Sequence, residues 1–367
     1  MPSILRHPEV PLRLKVRLPR PRLVVEPSTH APVPAAPGRT VLVLGGGGSL
    51  GAYQAGAVLA LAEAGVVPDA LVGCSAGALN AAFLASAPGV ARAEELAAWW
   101  VDVRTHGVLA PSLWSRVRGF AAVAATRADA LLDERPLRRL ITEQVGAHDL
   151  SEFAVPLTVT TTCLDCGRPV HHDRGPVADT LVASCSLPGL FRPVRLSDGG
   201  GALHSHVDGG VLCGVPISAA LAGAGPHDRV LVIDCALAPA TGLPGACAAH
   251  PAAASACGLA AGRGDYVAPA EETRGALEVV LRAFAVARAA ANRAEVREAV
   301  TDPRVRVLPH VADAWSAGLL AQLPSGPRDF AATTALVEAG HAATRAWLAG
   351  GGLAAAADSV GDAVPAG

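Results

Sequence analysis

Ser75 is the residue whose setting most clearly suggests chemistry. It is the central residue of Gly73-Cys74-Ser75-Ala76-Gly77, a G-x-S-x-G sequence flanked by small residues. A serine on a sharp strand-to-helix turn needs small neighbours, because the backbone passes close to adjacent strands and the hydroxyl must project from the turn. A second segment, Gly45-Gly46-Gly47-Gly48-Ser49-Leu50-Gly51, precedes it. Successive glycines let backbone N–H groups converge on an anion where a helix begins. Together the two segments suit acyl transfer, with a serine nucleophile beside donors for the oxyanion that forms on attack. A third segment, His206-Val207-Asp208-Gly209-Gly210-Val211, supplies a carboxylate followed by two glycines, which let the chain turn and aim it into a site.

Each segment also has a simpler explanation. Gly46-x-Gly48-x-x-Gly51 satisfies a dinucleotide fingerprint, but that function needs an acidic residue closing the second strand, which ends in Gly73 instead. Asp69 has nearly the right spacing and lies before that strand. No Gly-Lys-Ser/Thr follows the glycines, so a P-loop is excluded. Asp208-Gly209 could be a turn between strands, and Asp198-Gly199-Gly200 repeats the pattern. Of the late histidines His227, His250, His310 and His341, none stands in a setting that marks a catalytic base.

The elements that must carry these residues follow from the pattern of apolar residues. Thr40–Leu44 and Ala70–Gly73 are short, β-branched-rich runs that predict buried strands. A helix is predicted over Ala52–Ala64, with Gly65 closing it, and another over Ala76–Ser86. Strand, helix, strand, helix at this spacing is a right-handed βαβ unit and implies a parallel sheet. Further strands are expected at Leu157–Thr162, Val230–Asp234 and Val305–Leu308, and helices at Glu271–Val300 and Phe330–Leu348. Residues 91–150 read as a helical cover over an acyl pocket, and 236–268 as a long loop. His171-His172-Asp173 and His204-Ser205-His206 are expected as solvated or hydrogen-bonded loop residues.

With Asp208 and its glycines in place, the chain resembles the patatin-like phospholipases, lipid acyl hydrolases with a Ser-Asp dyad. Gly46-Gly47-Gly48-Ser49-Leu50-Gly51 looks like that family's oxyanion loop, Gly73-Cys74-Ser75-Ala76-Gly77 its nucleophile turn, and Asp208-Gly209-Gly210 its dyad motif. Ala183–Phe191 with Pro193-Val194 is similar to the segment before the aspartate, and Val211–Pro216 continues the likeness beyond it, which favours Asp208 over Asp198. The resemblance implies a three-layer α/β/α fold with a mainly parallel central sheet and helical insertions. It implies Ser75 as nucleophile, Asp208 as base, backbone N–H groups of Gly46, Gly47 and Gly48 as the oxyanion hole, and Gly51, Gly73, Gly77, Gly209 and Gly210 as motif glycines. The implied substrate is a phospholipid or other acyl-ester lipid. Two positions depart from the family: Leu50 stands where Arg or Lys is usual, and Gly214 where Asn is frequent. Three alternatives stay open on the residues alone: a histidine-assisted esterase or thioesterase using His204 or His206, a lipid-binding or regulatory protein with little turnover, and a nucleotide-dependent oxidoreductase.

Composition narrows the partners. The chain has 367 residues, 51% of them hydrophobic but only 4% aromatic, and a net charge of −2. The longest charge-free stretches, Val41–Ala62 and Cys235–Gly262, are broken by glycine, proline or polar residues and do not predict a membrane span. A near-neutral balance does not point to nucleic acid. Charge is nevertheless uneven: residues 1–40 carry seven basic and two acidic groups, or +5, leaving −7 for the rest. Residues 1–39 hold nine prolines and no signal-peptide core, and are expected as a flexible arm able to touch an anionic membrane. The catalytic domain is expected over 40–349 and a flexible tail over 350–367. Eight scattered cysteines fit free thiols in a reducing, cytoplasmic setting. Cys163 and Cys166 form a lone C-x-x-C with no second pair or histidine at zinc-finger spacing, so neither metal nor cofactor is expected.

Overall fold

The sequence folds around one mixed, mainly parallel sheet. A computed structural model describes residues 38–102, 130, 132–197, 200–235, 276–310 and 332–353. The expected loop at 236–268, the 354–367 part of the tail, residues 1–37 of the arm, Asp198 and residues 103–129 of the expected cover lie outside the described residues.

Strands β1 (Thr40–Leu44), β2 (Ala70–Cys74), β3 (Leu157–Cys163), β4 (Arg168–His172), β5 (Val194–Ser197), β6 (Leu203–Asp208), β7 (Arg229–Ile233) and β8 (Val305–Val307) form it. The order is β5-β6-β3-β2-β1-β7-β8, with β4 paired to β3. Strands β3, β2, β1, β7 and β8 run parallel, whereas β4, β5 and β6 add antiparallel pairs. Helices α1 (Gly51–Glu63), α2 (Ala76–Ser86), α3 (Val90–Asp102), α4 (Arg135–Val145), α5 (Val177–Cys185), α6 (Ile217–Gly223), α7 (Ala276–Ala299) and α8 (Thr333–Ala349) flank it.

Alternation along β1 defines the layers. Leu42 and Leu44 join one core with α1, α2, α3, α4, α5 and α8, while Val41 and Val43 face a second core with Ile217 and Ala220 of α6 and Ala299 of α7. The chain is therefore a three-layer α/β/α structure, as expected. Helix α1 is buried on nearly every side, which its alanines and glycines allow. A Cβ on Gly56 would stand 1.9 Å from the Val337 carbonyl oxygen of α8, and one on Gly340 would stand 2.0 Å from that of Tyr53. The two helices thus cross backbone against backbone. Gly65 ends α1 at φ +77°, with the N–H of Val66 donating to the carbonyl of Leu61.

Strands β4 and β6 correct one expectation. His171 and His172 end β4, and His204 and His206 lie on β6, so these histidines are strand residues rather than loop residues. Both strands are polar and antiparallel, and neither has the apolar run that marked the parallel strands.

Candidate active site

Ser75 and Asp208 meet because two strands end head to head on one edge of β3. Strand β2 pairs with β3 up to Cys74 opposite Thr160. Strand β6, running the other way, pairs from His206 opposite Cys163 to Asp208 opposite Thr161. The β4 strand occupies the other edge of β3. The C-terminal ends of β2 and β6 therefore arrive at neighbouring positions, which brings Ser75, just after β2, to Asp208, the last residue of β6.

Ser75 sits between β2 and α2 at φ +53° and ψ −126°, the one non-glycine residue with positive φ among the described residues. That backbone is costly for a side-chain-bearing residue and persists where surrounding structure enforces it. Here the enforcement is visible. The Ser75 N–H donates to Ser184 Oγ at 2.9 Å, Ser184 Oγ–H donates to the Thr160 carbonyl at 2.7 Å, and α2 begins at Ala76. Gly77 allows the turn to pass under β1, since a Cβ there would lie 2.1 Å from the Leu44 carbonyl oxygen. Gly73 ends β2 against Ala78.

The Ser75 hydroxyl donates to Asp208 Oδ2 at 2.7 Å. Asp208 is fully buried, and its other oxygen accepts the Gly210 N–H at 2.7 Å. Its own N–H donates to the Ser186 carbonyl. Gly209 packs so closely on β3 that a Cβ would stand 2.5 Å from the Thr160 carbonyl oxygen. Burial pushes the Asp208 carboxyl above its ordinary range, opposed by the nearby Arg288 charge and by the Ser75 and Gly210 hydrogen bonds. Cys74, buried, and Cys185, half-buried, have thiols pushed up chiefly by desolvation and also by the Asp208 charge, so they stay neutral.

The glycine loop lies against the serine. A Cβ on Gly46 would be 3.3 Å from Ser75 Cβ. The Gly46 N–H donates to the Gly214 carbonyl at 2.8 Å and is engaged, whereas Gly47 and Gly48 N–H have no partner among the described residues. Buried amides fix the loop from behind: Gln54 Nε2 donates to the Gly45 carbonyl at 2.6 Å, and Asn80 Nδ2 donates to the Gly51 carbonyl and to Gln54 Oε1, each at 3.0 Å. Trp100 Nε1 donates to Asn80 Oδ1, and its ring lies over Gly51. Leu50 is fully buried in the apolar core, so the loop carries no cation toward the site.

Several contributors were not legible from the motifs. On α7, Arg288, Asn292 and Glu295 stand at i, i+4 and i+7 and all face the loop after Asp208. Arg288 is 9% exposed, approaches Gly210, and its Nε has no hydrogen-bond partner among the described residues. Asn292 fills the space beside Gly214, where a Cβ would lie 2.5 Å from Asn292 Oδ1. Glu295 accepts from the Ser218 N–H and hydroxyl at 2.9 Å each. A polar stripe at this spacing in an otherwise alanine-rich helix was the available signal. The rival bases fare differently. His206 shares Thr161 Oγ1 with His172, and the bonds to Ser75 and Asp208 include no histidine. Asp69 accepts the Thr40 N–H at 2.7 Å, a structural tie at the opposite end of the strands.

Residues 42–221 match a family model described as patatin-like phospholipase. The chain is 28% identical over 183 residues to an uncharacterised NTE family protein of Mycobacterium tuberculosis, spanning 49% of this chain and 45% of that protein. It is 31% identical over 169 residues to lysophospholipase nte1 of Aspergillus terreus, spanning 44% of this chain and 10% of that protein. The chain thus covers under half the length of these curated relatives. Among solved structures, VipD from Legionella pneumophila aligns over 83% of this chain and 67% of its own, at 13% identity and a TM-score of 0.36.

Proposed function

From the premise that residues 42–221 belong to the patatin-like phospholipase family, we propose that this chain is a serine lipid acyl hydrolase working through a Ser75–Asp208 dyad. The carrying observation is the 2.7 Å hydrogen bond from a hydroxyl held at positive φ to a fully buried carboxylate. Asp208 takes the Ser75 proton as Oγ attacks the acyl carbonyl, forming the C–O bond and moving the carbonyl electron pair onto oxygen. The N–H groups of Gly47 and Gly48 and the N-terminal end of α2 are the donors available to that oxyanion. Collapse expels the alcohol, which leaves with the proton held on Asp208. Water then repeats the sequence, giving its proton to Asp208 and releasing the fatty acid while Ser75 recovers its hydrogen.

The raised basicity of Asp208 suits this role, because an ordinary carboxylate is a weak base at neutral pH. Arg288 opposes that shift and favours the ionised form of the carboxylate. The substrate class is a phospholipid or related acyl-ester lipid, and the basic residues of the 1–37 segment supply contact with an anionic membrane.

The test is direct. Ser75→Ala and Asp208→Asn should each lower turnover of a chromogenic acyl ester by ~10³-fold or more with the fold retained by circular dichroism. A fluorophosphonate should label the wild-type chain at Ser75 and leave Ser75→Ala unlabelled. Activity within a few-fold of wild type in either variant removes the dyad.

A further inference from the structure

Outside the dyad, the structure brings together three donor groups that the spacing of the sequence kept apart. Cys163 ends β3, Asp165 lies in the turn to β4, and His204 lies on β6. Their ligand atoms, one thiol sulfur, one carboxylate oxygen and one ring nitrogen, all fall within 4.8 Å of one another. The Asp165 Oδ2 to His204 Nδ1 separation is 3.7 Å. Sequence spacing excluded a histidine partner for this C-x-x-C, but pairing of β3 with β6 delivers one across the sheet, since Cys163 stands opposite His206 two residues along.

We propose that Cys163, Asp165 and His204 bind one divalent cation of the zinc class. Thiolate, imidazole and carboxylate together suit zinc or cobalt and not the all-oxygen preference of calcium or magnesium. Bond lengths of about 2.0–2.3 Å place tetrahedral donors roughly 3.3–3.7 Å apart, so a closure of about 1 Å completes the set. Three protein donors leave a fourth tetrahedral position for water.

The surroundings are those of a supported ligand set. The Cys166 N–H donates to Cys163 Sγ at 3.4 Å, the kind of backbone donor that orients and steadies a metal-bound sulfur. Asp165 Oδ2 accepts the Ser205 N–H at 2.6 Å, and the Leu164 N–H donates to the Ser205 carbonyl at 2.8 Å. The turn is thereby tied to β6 beside His204. A cation at this point would fasten the β3–β4 hairpin to the strand that ends in Asp208, four residues beyond His204. Binding displaces the Cys163 thiol proton to solvent.

The experiment uses the reduced, full-length chain dialysed against zinc chloride, with bound metal counted by mass spectrometry, and cobalt(II) as an optical probe. One tightly held equivalent is expected, with a thiolate-to-cobalt charge-transfer band that disappears in Cys163→Ser. His204→Gln and Asp165→Asn, both partly exposed positions, should each weaken zinc binding by about 100-fold or more while the chain stays folded. Ser75→Ala should hold the metal as wild type does, which separates this inference from the esterase assignment. Absence of a stoichiometric metal, or undiminished affinity in both His204→Gln and Asp165→Asn, overturns it.

Discussion

At the scale of single residues, Asp208 is set between burial, which disfavours its charge, and a nearby cation, which favours it. Burial raises the Asp208 pKa, and the groups facing it are the Ser75 hydroxyl, the Gly210 N–H, the neutral Cys74 and Cys185 thiols and the Arg288 guanidinium on α7. Arg288 is the charge in that set that favours ionisation. Replacing it with methionine removes the opposing charge, so the folded carboxyl must hold its proton to higher pH. The acid limb of kcat/KM, where activity falls as Asp208 is protonated, should therefore move up in pH for Arg288→Met and stay near wild type for Arg288→Lys. A purely structural role for Arg288 would lower activity evenly across pH, and a flat ratio of variant to wild type would discard the electrostatic account. Ser75 and Asp208 were legible in the sequence because the glycines flanking Ser75 and those following Asp208 are local requirements of the backbone there. Arg288, Asn292 and Glu295 were not, since they reach the site only once α7 has packed on the sheet, and their i, i+4, i+7 spacing does not by itself say what the stripe faces.

Elements decide whether these residues can meet. The parallel strands β1, β2 and β7 were visible as apolar runs because their two faces enter the two cores. Strands β4, β5 and β6 were not, because antiparallel strands at the sheet margin carry arginine, serine and histidine, and their order is set by pairing rather than by their own residue pattern. The dyad depends on one of these illegible strands, so the sequence identified Asp208 through its glycines and not through β6. A second dependence runs through α1, which follows directly from the glycine loop. Its crossing with α8 at Gly56 and Gly340 admits no side chain, as both Cβ positions fall on backbone oxygen. Gly340→Ala should destabilise the chain by about 3 kcal/mol or more in chemical denaturation, at the upper end of overpacking costs, because rigid backbone and not a flexible side chain must yield. A loss under ~1 kcal/mol would mean that the two helices can separate without consequence for the core.

For the whole molecule, the question is how a chain with an ordinary net charge of −2 would meet a lipid surface. No helix among the described residues is long and apolar enough to cross a membrane. Charge is instead segregated, and the structure shows which part of it is already committed. Arg39 donates to Asp228 through its backbone N–H at 2.9 Å and through its guanidinium at 2.9 and 3.1 Å, closing the start of β1 onto the turn before β7. That arginine belongs to the folded body. Residues 1–37 carry six basic and two acidic groups, a net +4, and this is the charge on which the proposed membrane contact rests. Each basic group near such a surface contributes about 1 kcal/mol at physiological salt, and the attraction falls away within a Debye length. Deleting residues 1–37 while keeping Gly38 and Arg39 should therefore weaken binding to phosphatidylglycerol-containing vesicles by ~10-fold or more, with the difference vanishing in 1 M salt. Hydrolysis of a water-soluble ester should be unchanged, because the Arg39–Asp228 tie and every described group around Ser75 survive the deletion. Equal vesicle binding by the two proteins would assign membrane contact to another surface, and a parallel loss of soluble-ester activity would show that the segment serves the site itself.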